Sequence, residues 1–310
     1  MNISRILNLA VVRRCTASHF AAALALFVSS IATLADDSAY QASVEKWRHD
    51  YEASLKADGG WLTVCGLFWL HEGENRLGSD PLGDIVLPPK SVPPDAGVIE
   101  LHARKVTAHL KPDVAALLDG KPIETVELLP DSQQGRLVLG DLSLTIHRSG
   151  DRLAVRLRDK NCKLLREFVG LSWFPIDESY RVTARFTPND PPKAIETQNL
   201  AGDTVKLTSP GFVTFTLGGA EYRLKAVLHD PNKANLFLIF RDLTSRNETY
   251  PAARFLDTDA PKDGVVVLDF NEAYNPPCAY NPFTTCPLPP QSNRLPVRIA
   301  AGEKKYLGPH

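Results

Sequence analysis

The sequence lacks most of the features that would assign it to a well-defined functional class. Its formal net charge is only −1 over 310 residues, so it has no basic excess with which to neutralise a nucleic-acid backbone. It has no GxSxG, HExxH, GxGxxG or phosphate-loop motif, and its cysteines and histidines do not have the spacing of a zinc site. We therefore predict no nucleic-acid partner, no cofactor and no metal, and the motifs name no reaction.

The first 35 residues have the order of a secretory signal peptide. The basic residues Arg5, Arg13 and Arg14 precede an apolar run from Phe20 to Leu34, which ends beside the small residue Ala35. We predict cleavage near Ala35, giving a periplasmic or secreted protein with no membrane span after cleavage. The alternative is an uncleaved membrane anchor, but the apolar run is shorter than the ~20 residues that a span needs.

Short apolar runs separated by turn residues make up most of the remaining chain. The sequence contains 24 prolines and 19 glycines, which is typical of a protein rich in β-structure and turns. A helix is predicted within residues 36–60, because apolar residues recur there at helical spacing and Gly59-Gly60 follows. A β-sandwich is predicted over 61–160, and an antiparallel β-barrel or curved sheet over 161–310, so the fold class is mainly β.

The first β-rich segment resembles a forkhead-associated sandwich between Leu67 and Asp159. The matching features are the Gly78-Ser79-Asp80 turn, Asp84 to Leu87, the Asp119-Gly120 turn and the strand that ends at Leu139-Gly140. That family binds phosphopeptides through an arginine after the glycine, where this chain has Ser79. The resemblance therefore implies the sandwich but not the phosphopeptide activity.

A loop rich in proline, asparagine and cysteine lies between two apolar runs near the C-terminus. It contains Cys278 and Cys286, which are eight positions apart and would meet in an exported protein as a disulfide that closes the loop. A nucleophilic thiolate at Cys278 is the alternative. Cys65 and Cys162 lie in apolar surroundings and are predicted to be buried thiols.

Two parts of the chain carry a more specific pattern. One is the stretch from Trp61 to Gly73. The other comprises Asp269-Phe270-Asn271, Ala273-Tyr274-Asn275-Pro276-Pro277-Cys278-Ala279, Cys286-Pro287, Pro289-Pro290, Asn293 and Gly302-Glu303. Together they resemble an exported bacterial family known as domain of unknown function 1684, and the resemblance implies no established activity.

Charged and amide side chains cluster at the predicted strand ends near this loop. The candidate ligand-binding residues are Arg241, Asp242, Arg254, Asp269, Asn271, Tyr274 and Asn275. Paired arginines with a carboxylate and an amide are able to hold a planar anionic group through bidentate hydrogen bonds. The alternative is a buried ion-pair network that pins the loop to the sheet.

The sequence leaves three functions open. We favour binding of a small anionic or glycan-like ligand in a C-terminal polar pocket. A hydrolase that uses the same pocket is the second, with Asp242 or Asp269 as base, His229 assisting and Cys278 or a serine attacking. The third is a structural or partner-binding envelope protein. The sequence identifies no catalytic residue, so whether the protein is an enzyme stays open.

Overall fold

The structure is a computed structural model that describes residues 38–131, 135–230 and 232–309. The chain divides into two compact units, the first ending at Trp47 and the second running from Arg48 to His310. The predicted signal peptide, residues 1–35, lies outside the described residues. Within the described ranges, no helix is both long enough and apolar enough to cross a membrane.

A helix at the start of the described chain, α1, spans residues 38–56, which confirms the predicted N-terminal helix. It ends where Gly59 adopts a φ of 87°, a left-handed conformation that glycine reaches without strain. In the second unit, Leu55 of this helix is buried in a cluster with Leu62, Tyr280 and Tyr306. The end of the helix is therefore anchored to the C-terminal part of the chain.

Two sheets follow the helix and share one hydrophobic core. Their strands are β1 (Val64–Trp69), β2 (Gly73–Gly78), β3 (Ile85–Val86), β4 (Gly97–His102), β5 (Lys105–Leu110), β6 (Leu117–Leu118), β7 (Lys121–Pro122), β8 (Thr125–Leu128), β9 (Leu137–Leu139), β10 (Leu142–Ser149) and β11 (Arg152–Asp159). One sheet has the order β1-β11-β10-β9-β6-β7 and the other β3-β2-β4-β5-β8. Every pairing is antiparallel except that of β2 with β3.

The core between these sheets follows from the alternation of side chains along the strands. Leu153, Val155 and Leu157 of β11 point into it, as do Ile99 and Val106 of the facing sheet. Consequently the even-numbered residues of β11 lie on the outer face of the six-stranded sheet. The two-sheet arrangement is the coarse architecture predicted, while a forkhead-associated identity for it stays a prediction.

A second group of strands builds the C-terminal part. They are β12 (Arg181–Gln198), β13 (Thr204–Leu217), β14 (Ala220–Ala226), β15 (Phe237–Phe240), β16 (Arg254–Asp257) and β17 (Val265–Asp269). Four of them form an open sheet, β14-β13-β12-β17, while β15 and β16 form a separate hairpin. No sheet of the described residues closes into a barrel, so that form of the prediction is wrong. Strands β14 and β17 remain the two edges of the open sheet, because the β15–β16 hairpin does not pair with either of them.

The connecting segments are mostly short helical turns. A four-residue helix, α2, spans Lys163–Arg166, and 3₁₀ turns occur at Trp61–Thr63, Glu178–Tyr180, Leu243–Arg246, Phe270–Glu272, Pro277–Ala279 and Gln291–Asn293. No strand is assigned to residues 294–309, although the apolar run there is strand-like. Gly302, at a φ of 79°, interrupts it, and a Cβ at this position would lie 2.3 Å from the carbonyl oxygen of Ala273.

Candidate functional site

The predicted cation Arg254 lies at the start of β16 and is fully buried. Its Nη1 donates to Oδ2 of Asp242 at 3.5 Å and to the carbonyl oxygen of Ile299 at 3.0 Å, and its Nη2 donates to the carbonyl oxygen of Ala301. Burial lowers the pKa of Arg254, and the charge of Asp242 opposes this effect. Arg254 therefore holds the C-terminal segment against the hairpin and presents no group to solvent.

Its partner Asp242 is equally enclosed, with a side chain that is 0% exposed. Its Oδ2 accepts a hydrogen bond from the Ile299 amide at 2.7 Å, and its Oδ1 accepts one from the Thr244 hydroxyl at 2.6 Å. Arg241, the preceding residue, is half-buried, and its backbone pairs with that of Arg294. Of the ion-pair network that was the alternative interpretation, the structure contains the Asp242–Arg254 pair, which contacts residues 299 and 301 of the C-terminal segment.

Asp269 and Asn271 cap the turn that follows β17. Oδ1 of Asp269 accepts from the Asn271 amide at 3.0 Å and from the Asn271 side chain at 3.1 Å, while Nε of Arg181 lies 3.7 Å from Oδ2. Asn271 is fully buried and also exchanges hydrogen bonds with the backbone of Asp177 at 2.9 and 3.1 Å. This pair is thus separate from Arg254 and orders the local backbone.

Tyr274 and Asn275 belong to different networks again. The Tyr274 hydroxyl donates to Oδ2 of Asp257 at 2.6 Å. Asn275 is fully buried and donates to both carboxylate oxygens of Glu303 at 2.8 Å, from its amide and its side chain. Burial raises the pKa of Glu303 to about 8, although the hydrogen bonds from Asn275 and Tyr280 lower it. Glu303 was missed as a site residue because no local pattern marks a glutamate for burial.

The histidine considered for a role in catalysis, His229, lies at a turn and shares the Asp257 carboxylate with Tyr274. The ring of His229 stacks on Phe237 with centroids 3.7 Å apart, and its Nε2 is 3.2 Å from Oδ1 of Asp257. The side chain is 59% exposed. The seven predicted residues therefore form several small networks, and the buried ion pair of Asp242 and Arg254 is shielded from any ligand.

Comparison with known proteins identifies the segment that carries these networks. Residues 166–304 match the family described as protein of unknown function, DUF1684. The chain carries a DUF1684 domain. Among solved structures, an uncharacterized protein of Haloarcula marismortui determined by solution NMR is 35% identical, and the match covers 46% of this chain and 80% of that one with a TM-score of 0.39. A search of curated proteins gave no match.

All four described cysteines are free thiols, and they lie in two pairs. In the DUF1684 domain the Cys278 amide donates to Sγ of Cys286 at 3.3 Å. Cys65 and Cys162 form a second pair, in which Cys162 is buried and Cys65 is half-buried. The predicted Cys278–Cys286 bridge is therefore not formed in this structure, although the backbone of Cys278 contacts the Cys286 sulfur atom. Within the described ranges, no cluster of ligand side chains fits a metal ion.

A second polar site, which sequence reasoning missed, lies on the outer face of the six-stranded sheet. Arg152, Arg156 and Arg158 of β11 share this face with His147 of β10, because they alternate with the core leucines and valine. The DUF1684 domain covers part of it. Arg152 is matched by Asp203, with Nε to Oδ1 at 2.9 Å and Nη2 to Oδ2 at 2.6 Å.

Among the described residues, no carboxylate forms such an ion pair with Arg156 or Arg158. Nη1 of Arg158 donates to the Thr145 hydroxyl at 3.2 Å, and the guanidinium of Arg156 lies 5.3 Å from the centroid of the Trp61 ring. In the part of the chain that the structure describes, the buried Nε atoms of both arginines have no hydrogen-bond partner. Burial lowers the pKa of Arg158 to about 10, and the positive charges of Arg156 and Arg136 act in the same direction.

Beside Arg158 lies a small, partly open cleft of about 60 Å³. Arg136, Arg158 and Lys160 supply its cations, Ser143 and Thr63 supply hydroxyls, and Asp58 and Asp141 also line it, which leaves one excess positive charge. We call it the arginine cleft. Nη1 of Arg136 is 3.3 Å from Oδ1 of Asp58, so one of the three cations is already paired. The remaining positive charge and the hydroxyls suit a small anion.

Proposed function

We propose that the protein binds a small anionic ligand in the arginine cleft. The observation that carries this proposal is the half-buried, poorly compensated charge of Arg158, which has a hydroxyl but no carboxylate as its hydrogen-bond partner. A charge removed from water without a counter-ion costs stability, and a bound anion offsets that cost. The anionic class of ligand is the one expected from the sequence, but the site is moved from the C-terminal residues to the β11 face.

The hydrogen-bond partners of the two side chains support the choice of Arg158 over the predicted Arg254. A fall in the Arg158 pKa to about 10 corresponds to roughly 3 kcal/mol of unfavourable free energy for the charged form. Arg254 is more deeply buried, and its Nε also has no hydrogen-bond partner among the described residues. Its Nη atoms, however, already donate to the Asp242 carboxylate and to two carbonyl oxygens. Of these two arginines, only Arg158 therefore gains much from an added anion.

The ligand class includes phosphate, sulfate and small carboxylates, because each presents pairs of oxygen atoms to a guanidinium. A thermal-shift series with sodium phosphate, sulfate, succinate and glucuronate, against sodium chloride of equal ionic strength, tests this directly. We expect at least one of these anions to raise the melting temperature of the wild type. The rise should be much smaller in Arg158→Met.

Arg104→Met is the matched control, because Arg104 is an exposed arginine whose Nη1 lies 3.3 Å from a carboxylate oxygen of Asp151. This variant should keep the full anion response. Equal responses of wild type and Arg158→Met to every anion would contradict the proposal, since general salt effects would then explain the shifts.

The sequence also supports a cellular setting for this binding. The basic, apolar and small-residue order of residues 5–35 supports export to the periplasm or beyond the cell, where disulfides persist. In that setting the neighbouring thiols of Cys278 and Cys286 would be oxidised to a loop-closing bridge. The forkhead-associated resemblance of residues 67–159 fits a sandwich that has lost its phosphate-binding arginine and uses the outer face of β11 instead.

A further inference from the structure

A hydroxyl, an imidazole and a carboxylate line up at the border between the six-stranded sheet and the DUF1684 domain. Oγ1 of Thr285 lies 2.7 Å from Nε2 of His147, although the two residues are 138 positions apart in the chain. Oδ1 of Asp131 lies 3.6 Å from Nδ1 of the same ring. The order hydroxyl, imidazole, carboxylate is the arrangement that activates a nucleophile in acyl-transfer enzymes.

The carboxylate is fixed by contacts of its own. The Arg148 amide donates to Oδ1 of Asp131 at 3.1 Å, and Nε of Arg148 lies 3.8 Å from Oδ2. The Asp131 amide donates to the carbonyl oxygen of Ile146 at 2.9 Å. Asp131 is thereby held on the Nδ1 side of the ring, which favours the tautomer with a proton on Nδ1 and a lone pair on Nε2 facing Thr285.

The surroundings keep the imidazole in its proton-accepting form. Burial lowers the pKa of His147, and the charge of Arg156 acts in the same direction, while Asp131 raises it. Arg156 also acts to lower the pKa of Cys286, the residue after Thr285. Arg156 lies on the same sheet face as His147, two positions along β11 from Ala154, which pairs with His147. Its positive charge therefore favours the negative charge that would develop here during acyl transfer.

The same residue types meet elsewhere without these features. On the outer face of the other sheet, the Thr125 hydroxyl is 3.4 Å from Nδ1 of His109, and Oε2 of Glu100 is 3.4 Å from Nε2. The His109 and Glu100 side chains are 43% and 45% exposed, whereas His147 is 12% exposed. Asp131 is 54% exposed, so the carboxylates of the two groups are alike in this respect. The shorter hydroxyl–imidazole hydrogen bond and the burial of the ring distinguish the Thr285 group from an ordinary surface contact.

We propose that Thr285 is the nucleophile of an ester hydrolase, with His147 as general base and Asp131 as a positioning residue. Oγ1 of Thr285 attacks the ester carbonyl carbon while its proton passes to Nε2 of His147. The bond from the carbonyl carbon to the alcohol oxygen then breaks, and His147 returns the proton to the departing alcohol. Water, activated by the same imidazole, cleaves the acyl-threonine and releases a carboxylic acid.

The flanking Arg156 favours an ester that carries a carboxylate. This preference for an anionic substrate rests on the proposed function, whereas hydrolysis itself does not. Two probes separate them: 4-nitrophenyl acetate, which is neutral, and mono-4-nitrophenyl glutarate, which is anionic. Hydrolysis of both at equal kcat/KM would leave the hydrolase intact while contradicting the anionic preference.

The variants Thr285→Val, Thr285→Ser, His147→Gln and Asp131→Asn give the decisive comparison. Replacing the hydroxyl or the base should lower kcat by about 100-fold or more, because general base catalysis contributes about 10²- to 10⁴-fold. Thr285→Ser should retain activity, since it keeps the hydroxyl, and Asp131→Asn should lower kcat with little change in KM. Thr125→Val is the matched control and should hydrolyse both esters as the wild type does.

A second measurement is independent of turnover. A fluorophosphonate probe should label the peptide that contains Thr285, and the label should be absent from Thr285→Val and His147→Gln when both retain the wild-type melting temperature. Wild-type rates in Thr285→Val would overturn the proposal. So would a folded wild type that neither hydrolyses the esters above the buffer rate nor takes up the label on Thr285.

Discussion

Glu303 makes the stability of the protein depend on pH in a direction opposite to that of most carboxylates. The side chain is fully buried and its pKa is raised from 4.5 to about 8, with burial as the main cause. Because the folded pKa lies above the unfolded one, the folded state binds the extra proton. Stability is therefore greatest at low pH in this window and is lost as the pH rises through about 8.

The magnitude follows from the two pKa values. Raising the pH from 5 to 9 lowers the free energy of unfolding by about 4 kcal/mol through Glu303 alone. The slope is about 1.4 kcal/mol per pH unit where unfolding releases one proton from this side chain. Glu272 adds to the slope with the same sign, since burial and the nearby Asp269 raise its pKa to about 7. The contribution of Glu303 to the pH dependence is therefore the difference between the unfolding free energies of wild type and Glu303→Gln, because the neutral glutamine side chain does not titrate.

Urea denaturation at pH 5, 6, 7, 8 and 9 measures how the free energy of unfolding depends on pH in the wild type and in Glu303→Gln. We expect the free energy of unfolding of the wild type to fall more steeply with pH than that of Glu303→Gln, with a difference of about 4 kcal/mol across the range. Glu272→Gln is the control and should retain the Glu303 contribution. Parallel curves for wild type and Glu303→Gln would refute a raised pKa at this buried site.

The remaining predictions concern the other buried groups of the DUF1684 domain. Arg254→Met should lower the free energy of unfolding by about 3–5 kcal/mol, because it leaves the Asp242 carboxylate buried without its cation; a loss below about 1 kcal/mol would contradict the ion-pair network. In protein purified from an oxidising compartment, Cys278 and Cys286 should resist a maleimide reagent after unfolding without a reductant and react after reduction. Reaction of both thiols in the non-reduced sample would refute the bridge.

Much of the fold could be predicted because the relevant signals are local. Apolar residues at helical spacing before Gly59 predicted α1, and the Asp119-Gly120 pair predicted a turn that the structure forms with φ values of 50° and 78°. The full length of strand β12 was harder to predict, because Pro188 and the prolines after it resemble the end of a strand. The structure continues the strand through a register shift between Pro188 and Lys193.

The candidate sites depend on contacts that no local pattern contains. Arg254 was expected at a rim because it begins a strand, but two of its hydrogen-bond acceptors, the carbonyl oxygens of Ile299 and Ala301, are 45 and 47 positions away. In the sequence, Arg158 resembles one of several exposed cations on an alternating strand. Its partial burial arises from the packing around β11, which tertiary structure alone determines.

Anion binding in the arginine cleft is tested most directly by the unfolding free energy of Arg158→Met with and without phosphate. Without phosphate we predict that this variant is about 1–2 kcal/mol more stable than the wild type, because a poorly compensated buried charge is removed at the loss of one hydrogen bond. Saturating phosphate should then stabilise the wild type and leave the variant unchanged. A variant that is less stable than the wild type without phosphate, and that gains as much stability from phosphate, would contradict anion binding at Arg158.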